Sequence, residues 1–279
     1  MNILVFGANG QLGSSFRSVA NGYIYKFIFV DYPEVDFCDE QSILKCLNKH
    51  DFDIIINCAA YTNVDKAENE QNICMQINSI APEIIAKFAQ ENKKIFFHIS
   101  TDYVFDGKTD TPYTEEDRPN PCNFYGKSKL LGEEAILKHN PSGFIIRTSG
   151  LVSEFNHNFV KSMIEKMNNN DEISVVTTQV ARYTYASDLA NVIIRLIGKE
   201  SWGTTLLHYA NAGAMNWYEF ATLIKEKINS NCNILSVSNY PQIAIRPNYS
   251  VLSTEKIETQ YNVNIKDISD AVSRIVSRI

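Results

Sequence analysis

Seven residues near the start of the chain, Gly7-Ala8-Asn9-Gly10-Gln11-Leu12-Gly13, constrain the fold more than any other stretch. They follow a short apolar run, Asn2 to Phe6, and open a segment with helical apolar spacing, the setting of a first strand-to-helix turn that binds a dinucleotide. Its glycines permit a tight turn, close approach of backbone to a pyrophosphate and close helix-to-strand packing, and the helix N-terminus offers free N–H groups to phosphates. Asp31, at the end of the second predicted strand, is placed to accept hydrogen bonds from an adenosine ribose. That acid suits NADH, and Arg17 or Lys26 would serve the extra phosphate of NADPH, so both cofactors are expected.

The rest of the first half alternates apolar runs with amphipathic stretches, as strands joined by crossover helices do. Strands are predicted at Asn2 to Phe6, Tyr25 to Val30, Ile54 to Asn57, Ile95 to Ser100 and Gly143 to Arg147. Helices are predicted at Gln11 to Val19, Asp39 to Lys49 and, as one continuous element, Gln71 to Asn92. Past Thr148 the elements shorten, with helices near Asn158 to Asn168, Ala186 to Ile197, Asn216 to Ile228 and Ile268 to Ile279, and a strand at Ser174 to Val176. The expected fold is α/β, a Rossmann-type doubly wound parallel sheet with a smaller, mixed α/β substrate-binding lobe. The division expected is 1–150 for the dinucleotide domain and 151–279 for the lobe, with segments interleaved. Of 279 residues, 44% are apolar, and 26 Lys and Arg stand against 32 Asp and Glu, a net charge of −6 with no basic stripe, so nucleic acid is not an expected partner. No apolar run is long enough for a membrane span, and no secretory leader precedes the first strand. The 6 cysteines form no C-x-x-C pair, which fits a reducing, cytoplasmic setting and no metal.

A second constellation carries chemistry. Tyr125 and Lys129 lie one turn apart on a predicted helix, so they share a face, and an ammonium beside a phenol stabilises the phenolate and lowers its pKa. Ser100-Thr101-Asp102 falls at the C-terminal end of a predicted strand, where open α/β sheets bind ligands, and Thr101 can donate to a substrate carbonyl. Gly126-Lys127-Ser128 lacks the first glycine of a phosphate loop, and Asp102 to Gly107 lacks the ligands of a calcium loop. His98 and His208, each within an apolar strand, read as core histidines.

Taken together, the glycine loop, Asn57-Cys58-Ala59-Ala60, Ser100-Thr101-Asp102-Tyr103-Val104-Phe105-Asp106-Gly107 and Tyr125-x-x-x-Lys129 resemble the extended short-chain dehydrogenase/reductases. More narrowly, Ala59-Ala60-Tyr61-Thr62-Asn63-Val64-Asp65-Lys66-Ala67-Glu68 and Phe124-Tyr125-Gly126-Lys127-Ser128-Lys129-Leu130-Leu131-Gly132-Glu133 resemble the dTDP-4-dehydrorhamnose reductase family. The resemblance implies reduction of the C4 keto group of a nucleotide-linked 4-keto-6-deoxyhexose with NADPH or NADH. Tyr125 would protonate the C4 oxygen, Thr101 would polarise it, and Lys129 would hold the nicotinamide ribose. Gly7, Asn9, Gly10, Gln11, Leu12, Gly13, Asp31, Asp36, Phe37, Ala59, Ala60 and Tyr61 would meet the cofactor. Thr62, Val64 and Tyr103 would face the sugar, and Asn158, Phe159 and Arg246 the nucleotide diphosphate. A homodimer is the assembly expected.

Two stretches depart from the family pattern. The family has Trp after Arg-Thr-Ser, whereas Arg147-Thr148-Ser149 is followed here by Gly150, and the Asp-Gln-x-Gly-x-Pro-Thr stretch reads Thr178-Gln179-Val180-Ala181-Arg182-Tyr183-Thr184. Both lie toward the sugar. The readings that compete are therefore a reductase of a different nucleotide 4-keto sugar and, from another class, a non-catalytic regulatory subunit resembling that of methionine adenosyltransferase.

Overall fold

The computed structural model describes residues 1–200, 202–239 and 241–279. Its central feature is a six-stranded parallel sheet built from β1 (Asn2–Phe6), β2 (Lys26–Val30), β3 (Ile54–Asn57), β4 (Ile95–Thr101), β5 (Gly143–Thr148) and β6 (Thr204–His208). The order is β6-β5-β4-β3-β1-β2, so the chain winds one way from β1 to β2 and the other way from β3 outward. The crevice above β1 and β3 is the switch point, where the C-terminal strand ends leave room for a ligand.

The helices that matter are α1 (Gln11–Ala20), α2 (Glu40–Lys49), α3 (Ala81–Glu91), α4 (Phe124–His139), α5 (Phe159–Asn169), α6 (Ala186–Leu196), α7 (Trp217–Lys227) and α8 (Ile268–Val276). On one face of the sheet α1 and α6 bury Leu12, Phe16, Leu189 and Ile193 against Ile3, Val5 and Ile54. On the other, α2, α3 and α4 bury Ile43, Leu47, Ile85 and Ile136 against Leu4, Ile55 and Ile145. Burial on both faces explains why the strands are apolar almost throughout rather than alternating. The lobe has its own core, in which Val160 and Met163 of α5, Phe220 and Ile224 of α7 and Val272 of α8 close over Ile173 and Ile234.

Several elements differ from the sequence reading. The stretch 71–91 is interrupted by a π-helical segment, Gln76–Ile80, between Gln71–Met75 and α3. The wide turn seats Asn78, which is wholly buried; its Oδ1 accepts from Tyr61 N–H at 2.8 Å and its Nδ2 donates to the Tyr61 carbonyl at 3.0 Å. An apolar period cannot reveal such an insertion, because the i→i+4 ladder yields to a side chain contacting another segment. Strand Asn233–Val237, parallel to Glu172–Val176, and the short helix Glu255–Tyr261 were also outside the sequence reading. Among the described residues no helix is long and apolar enough to cross a membrane.

Candidate active site

The glycine turn is shaped by contact rather than by flexibility. Gly7 has φ of +72°, and a Cβ there would stand 2.5 Å from Ala59 N; one at Gly13 would stand 2.3 Å from the Gly7 carbonyl oxygen. Both positions exclude a side chain, so β1, α1 and the turn after β3 close on one another. Gly10 is the N-cap of α1 and offers no side-chain cap, which leaves first-turn N–H groups for an incoming anion. Leu12 buries its side chain in the core, so toward the cleft it presents backbone. A cavity of about 350 Å³ runs beside this turn, lined by Gly7, Gly10, Asp31, Asp36, Phe37 and Ala59. Asp31 Oδ2 accepts from Asn9 N–H and Oδ1 from Tyr32 N–H, each at 2.7 Å, which fixes the carboxylate at the cleft wall with lone pairs remaining. Lys26, considered for a 2′-phosphate, begins β2 and so lies a full strand length from Asp31, and Arg17 stacks on the Phe29 ring at 4.4 Å. Tyr61 turns its hydroxyl to Glu70 Oε2 at 2.5 Å.

Helix α4 delivers the second half of the site. Asn123 caps it by accepting from Gly126 N–H at 2.8 Å. A Cβ at Gly126 would stand 2.1 Å from the Tyr103 carbonyl oxygen, and one at Gly132 2.2 Å from the Asn78 carbonyl oxygen. These two glycines set the helix hard against the turn after β4 and against the π segment, and that contact brings Tyr125 beside Thr101. The Thr101 hydroxyl donates to Asp102 Oδ1 at 3.0 Å, and Ser250 donates to Asp102 Oδ2 at 2.6 Å. Burial pushes the Asp102 carboxyl up to about 7, against those two hydrogen bonds. Burial likewise raises the Tyr125 phenol, with a hydrogen bond to Thr101 opposing it. The sequence reading had Lys129 lowering the Tyr125 pKa, and here the structure corrects it. Lys129 Nζ lies 3.1 Å from His98 Nε2 and donates to the Ile99 carbonyl at 2.7 Å. In a buried site the amine seeks the nearest acceptors, and its own pKa falls to about 8, chiefly by burial. Tyr125 is thus held as a protonated acid. Beneath this layer Glu133 receives Arg147 bidentately, with Nη2 at 2.6 Å from Oε2 and Nε at 2.9 Å from Oε1.

Two neighbouring cavities share Tyr103, Gln179 and Trp217 on their walls, and Tyr125 lines the first. The first, about 350 Å³, is lined by Thr62, Val64, Thr101, Tyr103, Tyr125 and Gly150. The second, about 300 Å³, is lined by Phe159, Lys166, Gln179, Trp217 and Arg246. Arg246 is anchored by Asp65, with Nη1 and Nη2 each at 2.9 Å from a carboxylate oxygen, and the same carboxylate accepts from Ile243 N–H and Ala244 N–H. That guanidinium and the two amides hold the Asp65 carboxyl down at about 2. Asn158, expected at the diphosphate, instead caps α5 and donates to the Ser153 carbonyl at 2.7 Å, and it lines neither cavity.

Gly150, the family-pattern departure, has φ of +45°, and a Cβ there would stand 2.5 Å from Tyr183 Cδ1. Tyr183 in turn stacks on Phe220 at 3.9 Å and meets Trp217 at 4.9 Å. The two departures are therefore one: the volume a side chain at 150 would need is filled by Tyr183. The sequence reading gave neither Trp217 nor Tyr183 a place at the site, and a paired deviation at two positions was the signal available.

A doubly wound parallel sheet with a glycine turn at its switch point, and a Tyr-x-x-x-Lys helix beside a strand-end Thr, defines an extended short-chain dehydrogenase/reductase. Comparison with known proteins narrows the class. The RmlD substrate binding domain family matches residues 1–279. The dTDP-4-dehydrorhamnose reductase of Aggregatibacter actinomycetemcomitans is 34% identical across 98% of this chain and 97% of its own. The spore coat polysaccharide biosynthesis protein SpsK of Bacillus subtilis is 38% identical across 92% of this chain and 90% of its own. The crystal structure of the Bacillus anthracis dTDP-4-dehydrorhamnose reductase in complex with NADP superposes with a TM-score of 0.95 at 34% identity, covering 100% of this chain and 99% of that one. This chain belongs to the dTDP-4-dehydrorhamnose reductase family.

Proposed function

We propose that this chain reduces the C4 keto group of dTDP-4-dehydro-L-rhamnose to give dTDP-L-rhamnose for surface polysaccharide, with NADPH or NADH. The observation that carries this reading is the seating of Thr101 and Tyr125 on the wall of the sugar-sized cavity, at the same strand ends as the glycine-turn cleft. The dinucleotide fits that cleft: two glycines that admit no Cβ, an uncapped helix N-terminus and a fixed carboxylate are what a pyrophosphate and a ribose need. When bound, the nicotinamide supplies the hydride. Gly7, Gly10 and the first turn of α1 hold the phosphates, Asp31 the adenosine ribose, and Ala59 and Ala60 admit close approach of backbone. Tyr125, kept protonated by burial, gives its proton to the C4 oxygen, while the Thr101 hydroxyl, turning from Asp102, donates to the same oxygen as negative charge builds there. Phe159, Trp217 and Arg246 take the nucleotide end, where a guanidinium suits a diphosphate.

The lobe division at 150/151, a cytoplasmic location and a homodimer belong to the same proposal; free thiols at all 6 cysteines support the reducing setting. The deciding experiment mixes purified protein with enzymatically generated dTDP-4-dehydro-β-L-rhamnose and follows NADPH and NADH absorbance separately. Oxidation dependent on the sugar establishes the reaction, and the ratio of the two rates sets the cofactor. Cofactor binding without oxidation would overturn this substrate.

A further inference from the structure

Behind Lys129 lies a chain of hydrogen bonds whose direction is fixed by counting donors. Asn57, His98 and Lys129 are each no more than 1% exposed, so each polar atom must find its partner inside the protein. Ala59 N–H donates to Asn57 Oδ1 at 3.1 Å, which orients the amide and aims Asn57 Nδ2, a donor, at His98 Nδ1 at 3.2 Å. His98 Nδ1 must then be the acceptor nitrogen. A neutral imidazole carries its one proton on the other nitrogen, so Nε2–H points at Lys129 Nζ, 3.1 Å away. An ammonium has no lone pair to receive it; a neutral amine does. The amine's own N–H groups remain for the Ile99 carbonyl at 2.7 Å.

We propose that His98 is a positioning residue that holds Lys129 as a neutral amine before the cofactor binds, and that seating the cofactor is coupled to uptake of one proton by Lys129. This rests on the reductase reading above, in which ribose hydroxyls give Lys129 the acceptors that His98 withholds.

The surrounding charges agree. Facing Lys129 are Glu133 on its own helix, Cys58 after β3, Cys74 on Gln71–Met75 and His98 on β4. Glu133 is already paired with Arg147, and burial pushes both thiols up, toward their neutral forms. No unpaired anion among these demands an ammonium. Burial lowers Lys129 to about 8 and His98 well below its ordinary value, the direction in which both carry one proton fewer.

Two measurements test the proposal on the full chain. In the cofactor-free protein at about pH 8.5, where the amine form of Lys129 predominates, nitrogen NMR of labelled histidine reports the tautomer, with His98 assigned by loss of its signal in His98→Gln. The expected result is the Nε2–H form; an Nδ1–H form or an imidazolium overturns the proposal without reference to catalysis. Calorimetry of NADPH binding at about pH 8.5, in buffers of different ionisation enthalpy, counts protons taken up, with the nucleotide phosphates already ionised there. Wild type is expected to take up most of one proton, and Lys129→Met close to none. In His98→Gln the side-chain oxygen can accept from an ammonium, so Lys129 holds its proton about tenfold more tightly before binding and uptake falls. Binding with no uptake in wild type overturns the coupling. Absence of NADPH binding overturns the reductase reading and the coupling with it, while the histidine tautomer is still decided by the first measurement.

Discussion

Tyr125, partly exposed on the wall of the sugar cavity, and Asp102, buried beside it, are both acids whose surroundings hold them toward the protonated form. Replacing Tyr125 with Phe removes the proton donor and little volume, so kcat is expected to fall by roughly 10²- to 10⁴-fold while NADPH binding, read by fluorescence, is kept. Near-wild-type turnover would show that another group is the acid. Asp102 makes a different prediction. Its folded pKa of about 7 lies above the ordinary carboxylate range, so the folded state binds its proton more tightly than the unfolded chain does. The stability this gives is complete below that range and is lost as pH rises through 7. Asp102→Asn should therefore raise Tm relative to wild type by at least about 3 °C at pH 8.5, and by less at pH 5. An equal shift at both pH values would mean that Asp102 is charged when folded. The sequence pattern pointed to Tyr125 and Lys129 by their one-turn spacing and to Thr101 by its place at a strand end. It could not show where the Lys129 nitrogen turns, since His98 and the Ile99 carbonyl reach it from another strand.

At the scale of elements, close approaches do the positioning. α4 lies against the turn after β4 because Gly126 and Gly132 bring no side chain, and the loop after β5 leaves room for Tyr183 because Gly150 does the same. Gly150→Ala is expected to lower stability by roughly 1–3 kcal/mol in urea unfolding, from left-handed backbone and the contact with Tyr183. In a Tyr183→Leu background the same change should cost less, since the steric half is relieved; strict additivity would show that backbone strain alone is responsible. Most strands and helices were legible because apolar runs and helical spacing report burial directly. The capping role of Asn158 was missed although its partners, Ser153 and Lys161, are near in sequence. The π segment at Gln76–Ile80 was not legible, because it is decided by the buried Asn78 side chain and its partner Tyr61 on another segment. The match between Gly150 and Tyr183 was hidden for the same reason: neither residue is unusual until the other is in place.

Over the whole molecule, one ion pair joins the sheet side of the cleft to the segment that covers it. Asp65, on the short helix Val64–Ala67, holds Arg246 and two backbone N–H groups of the covering segment. The pair is partly exposed, with side chains 19% and 36% accessible for Arg246 and Asp65, so its contribution to global stability is small and its effect local. Asp65→Asn should raise KM for the nucleotide sugar by roughly tenfold with kcat little changed, a loss of about 1.4 kcal/mol in binding. A fall in kcat at unchanged KM would place Asp65 in the chemical step instead.

The path of the chain between the lobes has a consequence for how they can be separated. β6 comes from the C-terminal half, yet it completes the sheet beside β5, in register from Thr204 with Gly143 to His208 with Arg147. α6, from the same half, packs on α1. A fragment cut at residue 150 would bare the hydrogen-bonding edge of β5 and one flank of α1, an invitation to intermolecular strand pairing rather than a free-standing unit. The same weave makes any opening of the cleft a matter of several strands of covalent connection bending together, so the lobes are stitched, and neither can be exchanged between relatives as a single block.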